Sequence, residues 1–258
     1  MIAPSPKNKE IKDLGNVLLN VGAMLLSSGA STGRTRNTIS RISDSFGYSS
    51  DLLISHRTIM LTISDKKNDY FFNNLKRSAP HGVNFKLLSG ISRLSWQVVE
   101  EGLSVNQINV QLSRLAALKH YPRWFTLLFV GLAGVSFCRL SDGDALDMVT
   151  VFTATVCGLF IRQEVHKMKF NPYICIFCGA FTASLIAGGG LKYGMGFIHE
   201  QALATSVLFL IPGVPLINSF SDMIDGNLNN AIVRGLNGFI ISFAIGMGLL
   251  TSMLIYRF

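Results

Sequence analysis

The chain has 258 residues, of which 49% are hydrophobic and only 15% are charged, and its mean hydropathy is +0.39. This composition is too apolar for a soluble domain, while the first half of the chain is too polar for a protein that lies wholly in a membrane. The formal net charge of +8 comes from residues 1–123, because residues 124–258 carry seven charges of each sign. A basic domain joined to membrane helices is typical of the cytoplasmic side, so we expect these charges to lie on that side of a lipid bilayer and not to bind nucleic acid.

Residues 1–120 are predicted to form a small cytosolic α/β domain with the element order ααβββαα. Apolar residues at three- and four-residue spacing predict four amphipathic helices, at 8–28, 32–46, 90–102 and 105–118. Alternating apolar residues predict three strands, at 58–63, 70–72 and 83–87. Ser104 is the expected N-cap of the last helix.

One pattern in this domain is typical of a catalytic turn. Gly29-Ala30-Ser31-Thr32-Gly33 matches the G-x-S-x-G sequence of a nucleophile elbow, in which a strand precedes the serine. The preceding residues instead have helical periodicity, so we expect Gly29 to end one helix and Ser31 or Thr32 to cap the next. Two alternatives stay open: a binding role for this turn, which precedes Arg34, and a membrane-anchored hydrolase that uses Ser31.

Residues 121–258 are predicted to form a transmembrane domain, which begins with the interfacial cluster Tyr121-Pro122-Arg123-Trp124. Five apolar segments approach the roughly 20 residues that a bilayer requires. They lie near 124–140, 145–162, 172–191, 201–220 and 233–256. The loop after the first segment is acidic and the loop after the second is basic, so we expect a cytoplasmic N-terminus and a periplasmic C-terminus.

No metal site and no cofactor are predicted. All four cysteines lie in the apolar half, and Cys175-x-x-Cys178 falls inside a predicted membrane helix without a nearby His or acidic residue. A free cysteine in such surroundings packs as a small apolar residue. The five histidines are scattered without ligand spacing.

The fourth apolar segment is interrupted by Pro212-Gly213-Val214-Pro215. Proline breaks or kinks a helix, and a freed backbone group in hydrocarbon costs several kcal/mol unless protein or water satisfies it. Broken membrane helices are therefore typical of transport pathways. If a second half-helix begins at Pro215, its free N–H groups attract a carboxylate. The break thus predicts a substrate site formed by Pro212, Gly213, Pro215 and Asn218.

Two acidic residues follow the break. An ionisable residue at membrane depth indicates function, so Asp222 is a candidate for substrate binding and for coupling to a proton or a cation. Asp225, one turn further, is a candidate for a second coupling contact. Alternatively, Asp222 and Asp225 lie in the cytoplasmic loop with Gly226, and for Asp225 we favour this second interpretation. Arg162, near the inner end of the second segment, is a candidate to contact Asp222 or an anionic substrate, although an interfacial anchor explains it equally well.

Several of these sequences resemble the threonine/serine exporter (ThrE-like) family, and in particular its short YjjP-type subunits. The resemblance covers nearly the whole chain. Its most specific parts are Pro122-Arg123-Trp124, Phe137-Cys138-Arg139-Leu140, Ile161-Arg162-Gln163 and Pro212-Gly213-Val214-Pro215-Leu216-Ile217-Asn218. It implies an inner-membrane exporter of small carboxylates, with threonine and serine for full-length members and succinate for the split form. It also implies a second, YjjB-type membrane subunit.

We therefore predict an α-helical membrane protein with five transmembrane helices, one of them broken, after a small cytosolic α/β domain. As function we predict one subunit of a secondary transporter in the bacterial inner membrane that exports a small carboxylate. Succinate is the first choice and threonine or serine the second. The hydrolase, and a scaffold whose helices only anchor a regulatory domain, are the alternatives from other classes.

Overall fold

The structure, a computed structural model, describes residues 6–65, 70–80, 82–118, 121–193 and 200–257. The chain divides into two units, Met1–Lys119 with Val214–Gly235, and His120–Gly213 with Leu236–Phe258. Residues 214–235 therefore group with the N-terminal residues, although their composition alone places them with the membrane segments.

The first unit contains a three-stranded sheet among helices. Its elements are α1 (Pro6–Ser27), α2 (Thr32–Ser45), β1 (Tyr48–Ser55), β2 (Thr58–Asp65), β3 (Phe71–Arg77), α3 (Phe85–Glu101) and α4 (Val105–Ala116). The strands are antiparallel in the order β1-β2-β3, with Leu52 opposite Leu61 and Ile63 opposite Phe72. The predicted small sheet among N-terminal helices is thus confirmed.

One face of the sheet and the apolar sides of the helices form the core of the first unit. Its fully buried members include Leu18 of α1, Ile39 of α2, Ile59 and Leu61 of β2, and Ile91 of α3. Burying a side chain of this size stabilises the folded state by about 1.5–3 kcal/mol. The helices and the sheet of this unit therefore hold each other in place through a shared apolar interior.

The strands differ in part from those expected from alternation. The strand predicted at 83–87 is wrong, because Asn84 caps α3 and its side chain accepts the N–H of Leu87 at 3.1 Å. The alternation there is short, and the residues that follow bury one helical face instead. The strand β1 was not predicted, since within it only Leu52 and Ile54 are buried apolar residues.

The N-cap predicted for the last helix of this unit is confirmed. The side chain of Ser104 accepts the N–H of Gln107, and the side chain of Gln107 accepts the N–H of Ser104, which together form a capping box. The helix α4 therefore begins one residue after the serine, as expected.

The second unit is helical in its described residues. Its elements are α5 (Arg123–Leu140), α6 (Ala145–Lys167), α7 (Pro172–Tyr193), α8 (Glu200–Ser206) and a 3₁₀ turn (Leu208–Leu210), followed after the break by the later part of α10 (Leu228–Tyr256). The helix α9 (Gly213–Ile224) from Val214 onward and the first residues of α10 belong to the first unit.

Small residues bring the helices of the second unit close together. A Cβ atom on Gly158 of α6 would lie 2.7 Å from the carbonyl oxygen of Gly179 on α7. A Cβ atom on Gly248 of α10 would lie 2.8 Å from Cβ of Ala180 on α7. Close backbone approach at small residues is a common way for helices to pack in lipid, where no hydrophobic effect drives their association.

Four helices of the described residues are long and apolar enough to cross a membrane: α5, α6, α7 and α10. The pair formed by Glu200–Leu210 and Gly213–Ile224 passes the same test when it is taken together, but it is bent at the break between its helices. The structure thus supports four or five apolar spans in a mostly helical protein.

Candidate transport site

The break lies where the sequence predicts it. The 3₁₀ turn ends at Leu210, and α9 begins at Gly213, directly after the buried Pro212. Pro215 lies in the first turn of α9, where the missing N–H costs no intrahelical hydrogen bond. Among the described residues, no atom beyond its chain neighbours and its own helix backbone lies within 4 Å of a Cβ atom placed on Gly213.

Asn218 and Asp222 lie one turn apart on the side of α9 that contacts the turn between α1 and α2. The side-chain amide of Asn218 donates a hydrogen bond to the carbonyl oxygen of Gly29 at 2.8 Å. The backbone N–H of Thr32 donates to Oδ1 of Asp222 at 3.0 Å. Because Thr32 begins α2, its N–H has no partner inside that helix, and the carboxylate supplies one.

Asp222 is fully buried and forms an ion pair with Arg234 of α10. Nη1 of Arg234 lies 2.9 Å from Oδ2 of Asp222, and its Nη2 donates to the carbonyl oxygen of Ala30 at 3.1 Å. The carboxylate thus has a cation and a backbone donor as partners, all within the first unit.

A second polar side chain of α10 lies near this pair. The amide of Asn230 donates to Oγ1 of Thr32 at 3.1 Å and to the carbonyl oxygen of Ile54 at 2.8 Å. Asn230 is buried, and its two contacts join the start of α10 both to α2 and to the sheet.

Asp225 lies outside the buried pair. It follows α9 in the turn toward α10 and is exposed. Its Oδ2 atom lies close to Gly33, on which a Cβ atom would be only 2.5 Å away.

Ser31 caps a helix. Its Oγ atom accepts the N–H of Arg34 at 3.2 Å, and the residues before it form α1 and not a strand. A nucleophile elbow needs a strand before the serine. The geometry therefore gives the hydrolase alternative no support and explains the serine as an N-cap.

Arg162 lies in the second unit, on α6, and is half-buried against α7. A Cβ atom on Gly179 would lie 3.1 Å from Cβ of Arg162. Within the described residues, no hydrogen bond or ion pair engages the guanidinium of Arg162. By contrast, Arg123 at the start of α5 contacts Glu164 and donates to Oε1 of Gln163 at 2.6 Å.

Sequence reasoning missed Asn230 and Arg234. A signal for Arg234 was present, because an arginine at the start of a long apolar segment is costly without a partner. No comparable signal marks Asn230, whose contacts reach 176 and 198 residues back along the chain. Among the described residues, no group of three or more His, Cys, Asp or Glu could hold a metal ion.

Comparison with known proteins adds the family. A family model described as "Putative threonine/serine exporter" matches residues 16–256. The chain is 28% identical to the "Probable succinate transporter subunit YjjP" of Escherichia coli strain K12, with 92% of this chain and 93% of that protein covered. It is also 28% identical to the protein of the same name from Klebsiella aerogenes, with 89% and 88% covered.

A longer relative matches this chain over only part of its own length. The "Threonine/serine exporter" of Corynebacterium glutamicum is 23% identical over 85% of this chain but only 46% of its own length. No solved structure matches the chain. These relatives are named as transporters, which agrees with the prediction of a transporter and not an enzyme. With its apolar helices and a family match over nearly its whole length, the chain belongs to the threonine/serine exporter family of membrane proteins.

Proposed function

We propose that the chain is one subunit of an inner-membrane exporter of a small carboxylate, with succinate as the first candidate. The two relatives of matching length are both named as succinate transporter subunits. The longer exporter has about twice the length that this chain covers. This supports a second membrane subunit, of YjjB type, that supplies the remaining part.

The observation that carries the proposal is the guanidinium of Arg162. A cation that is partly removed from water is costly unless an anion pairs with it. Arg162 has no such partner among the described residues, and it follows Gly158 by one helical turn on α6. Gly158 packs near Phe209, whose ring would lie 3.2 Å from an added Cβ atom, just before the break. A substrate carboxylate can supply the missing anion through two parallel hydrogen bonds.

The residues around the break complete the proposed pathway. Pro212, Gly213 and Pro215 end one helix and begin the next. Asn218 donates one amide N–H to the carbonyl oxygen of Gly29 in this structure, and a substrate carboxylate can use its second N–H. Asp222 is the proposed coupling group, and protonation would remove the charge that pairs with Arg234.

We also propose five crossings, a cytosolic domain formed by residues 1–120 and a transmembrane domain formed by residues 121–258. Helices α5, α6 and α7 cross three times and leave Tyr193 on the side opposite the N-terminal residues. Asp222 and Asn230 are bonded to residues 32 and 54, which supports a position on the N-terminal side. The bent pair Glu200–Leu210 and Gly213–Ile224 then makes the fourth crossing, and α10 makes the fifth. The basic N-terminal charge favours a cytoplasmic N-terminus and a periplasmic C-terminus.

The test is export of labelled succinate from cells that carry this chain together with a YjjB-type partner. Arg162→Gln should abolish export at equal abundance in the membrane, and Arg162→Lys should retain part of it, because lysine keeps the charge but loses the planar fork. Arg139→Gln is the matched control, because it removes the same charge from the last turn of α5. This variant should export normally. Normal export by Arg162→Gln would refute the proposed substrate contact.

The same assay separates the alternatives. Asp222→Asn and Pro212→Ala should both reduce export, while Ser31→Ala should not. Export of threonine or serine without export of succinate would favour the second substrate class. Loss of export in the Ser31 variant alone would overturn the exporter interpretation.

A further inference from the structure

We propose that the turn Gly29–Thr32 holds α9 and the start of α10 through a set of polar contacts, here called the latch, in which Arg234 and Asn230 are positioning residues for Asp222. The latch consists of this turn together with Asn218, Asp222, Asn230 and Arg234. Its functional meaning rests on the proposed function, because it assigns a role to the contacts of the proposed coupling group.

The turn offers backbone groups that neither helix uses. Gly29 has a φ of +90°, a left-handed conformation that favours glycine, and it separates the end of α1 from the start of α2. The carbonyl oxygens of Gly29 and Ala30 accept hydrogen bonds from Asn218 and Arg234. The N–H of Thr32 donates to Asp222. Three parts of the turn are therefore bonded to side chains of α9 and α10.

The glycines of the G-x-S-x-G pattern permit this close approach. A Cβ atom on Gly33 would lie 2.5 Å from Oδ2 of Asp225, so the exposed carboxylate in the turn after α9 would have to move. A Cβ atom on Gly29 would lie 3.1 Å from the carbonyl oxygen of Gly82 and 3.4 Å from Cγ1 of Val214. The pattern that resembled a catalytic elbow thus serves contact between helices.

The charges of the latch depend on each other. Asp222 is fully buried and the side chain of Arg234 is 9% exposed. Removal of either partner leaves an uncompensated buried charge, whereas removal of both charges leaves a neutral pair that can still form hydrogen bonds. Asn230 joins this pair to the sheet through Thr32 and the carbonyl oxygen of Ile54.

The position of the latch gives it a role in transport. The helix α9 begins directly after Pro212, so the latch fixes the chain that leaves the break. Movement of α9 requires that these polar contacts separate together. The N-terminal unit therefore takes part in the transport cycle and does not act as a detachable regulator.

Hydrogen–deuterium exchange of the full chain in detergent tests the latch without any transport measurement. Asp222→Asn and Arg234→Gln should each increase exchange roughly tenfold or more in peptides that cover 29–36 and 214–235. Peptides from α5 and α6 should be unchanged. The double variant Asp222→Asn/Arg234→Gln should recover most of the lost protection. Arg36→Gln, an exposed arginine on α2, is the matched control and should exchange as the natural protein does.

Two results would overturn the latch: normal exchange in both single variants, or a double variant that exchanges as fast as the single ones. If a single variant unfolds the whole first unit, the double variant still decides, since only a mutual dependence of the two charges predicts recovery. Export then tests the coupling separately. If the double variant regains protection from exchange but not export, the result supports Asp222 as the coupling group. If it regains both, Asp222 is not the coupling group, and the latch is still supported.

Discussion

The contact of Gly158 with α7 gives a sharp prediction for a single methyl group. In Gly158→Ala the new Cβ atom would lie 2.7 Å from the carbonyl oxygen of Gly179, about 0.7 Å short of the 3.4 Å at which ordinary contact begins. The obstacle is backbone, so the two helices must separate. Overpacking of this kind costs about 1–3 kcal/mol. At ~2–4 °C per kcal/mol for a chain of this size, the apparent melting temperature should fall by roughly 2–12 °C.

The assay is thermal unfolding of the purified full chain in detergent, followed by succinate export from cells. Gly246→Ala is the matched control, because it adds the same methyl group to a membrane helix where nothing lies within 4 Å. Gly246→Ala should match the natural protein in both measurements. Export should fall in Gly158→Ala, since Arg162 follows one turn later on the same helix. Equal melting temperatures for the two variants would refute the close crossing of α6 and α7.

Two further predictions concern the first unit. Ser31→Ala removes the acceptor for the Arg34 N–H and should cost about 1 kcal/mol of stability, measured by thermal unfolding, while export stays within about twofold of normal. A complete loss of export at normal abundance would contradict the capping role. Ile59→Ala, at a fully buried position, should cost about 2–5 kcal/mol. Leu53→Ala, on the exposed face of the sheet, should change stability by less than about 0.5 kcal/mol. Similar losses in both would contradict the observed orientation of the sheet.

Local patterns predicted the parts of the fold that depend on neighbours in sequence. The three- and four-residue spacing of apolar residues predicted α1 and α2 to within a few residues, because one face of each helix is buried. The lengths of the apolar segments likewise predicted the long membrane helices. The strand β1 was not predicted because its alternation of apolar and polar residues is weak. Its outward residues include the exposed Leu53, and its first half has no buried apolar residue.

The candidate site was predictable only in part. The helix break depends on local residues, whereas the side-chain contacts of α9 depend on residues distant in sequence. The prolines and the glycine predict the break because of their backbone conformations, and α9 begins there. Gly29 and Thr32, the partners of Asn218 and Asp222 in the turn between α1 and α2, lie 189 and 190 residues away, and no local pattern specifies them. Even so, a buried acid requires a compensating group. A search for a cation within the next apolar segment would have led to Arg234.

The position of Asp222 also limits how it can act. A carboxylate that already has a guanidinium and a backbone N–H as partners does not change its contacts alone, because each partner would be left unsatisfied in a buried site. Release of Asp222 therefore leaves the N–H of Thr32 and the guanidinium of Arg234 without this partner, and the same guanidinium donates to the carbonyl oxygen of Ala30. Any event at this carboxylate is consequently an event in the turn between α1 and α2. For this reason exchange at residues 29–36, and not export alone, is the measurement that separates the latch from the coupling role.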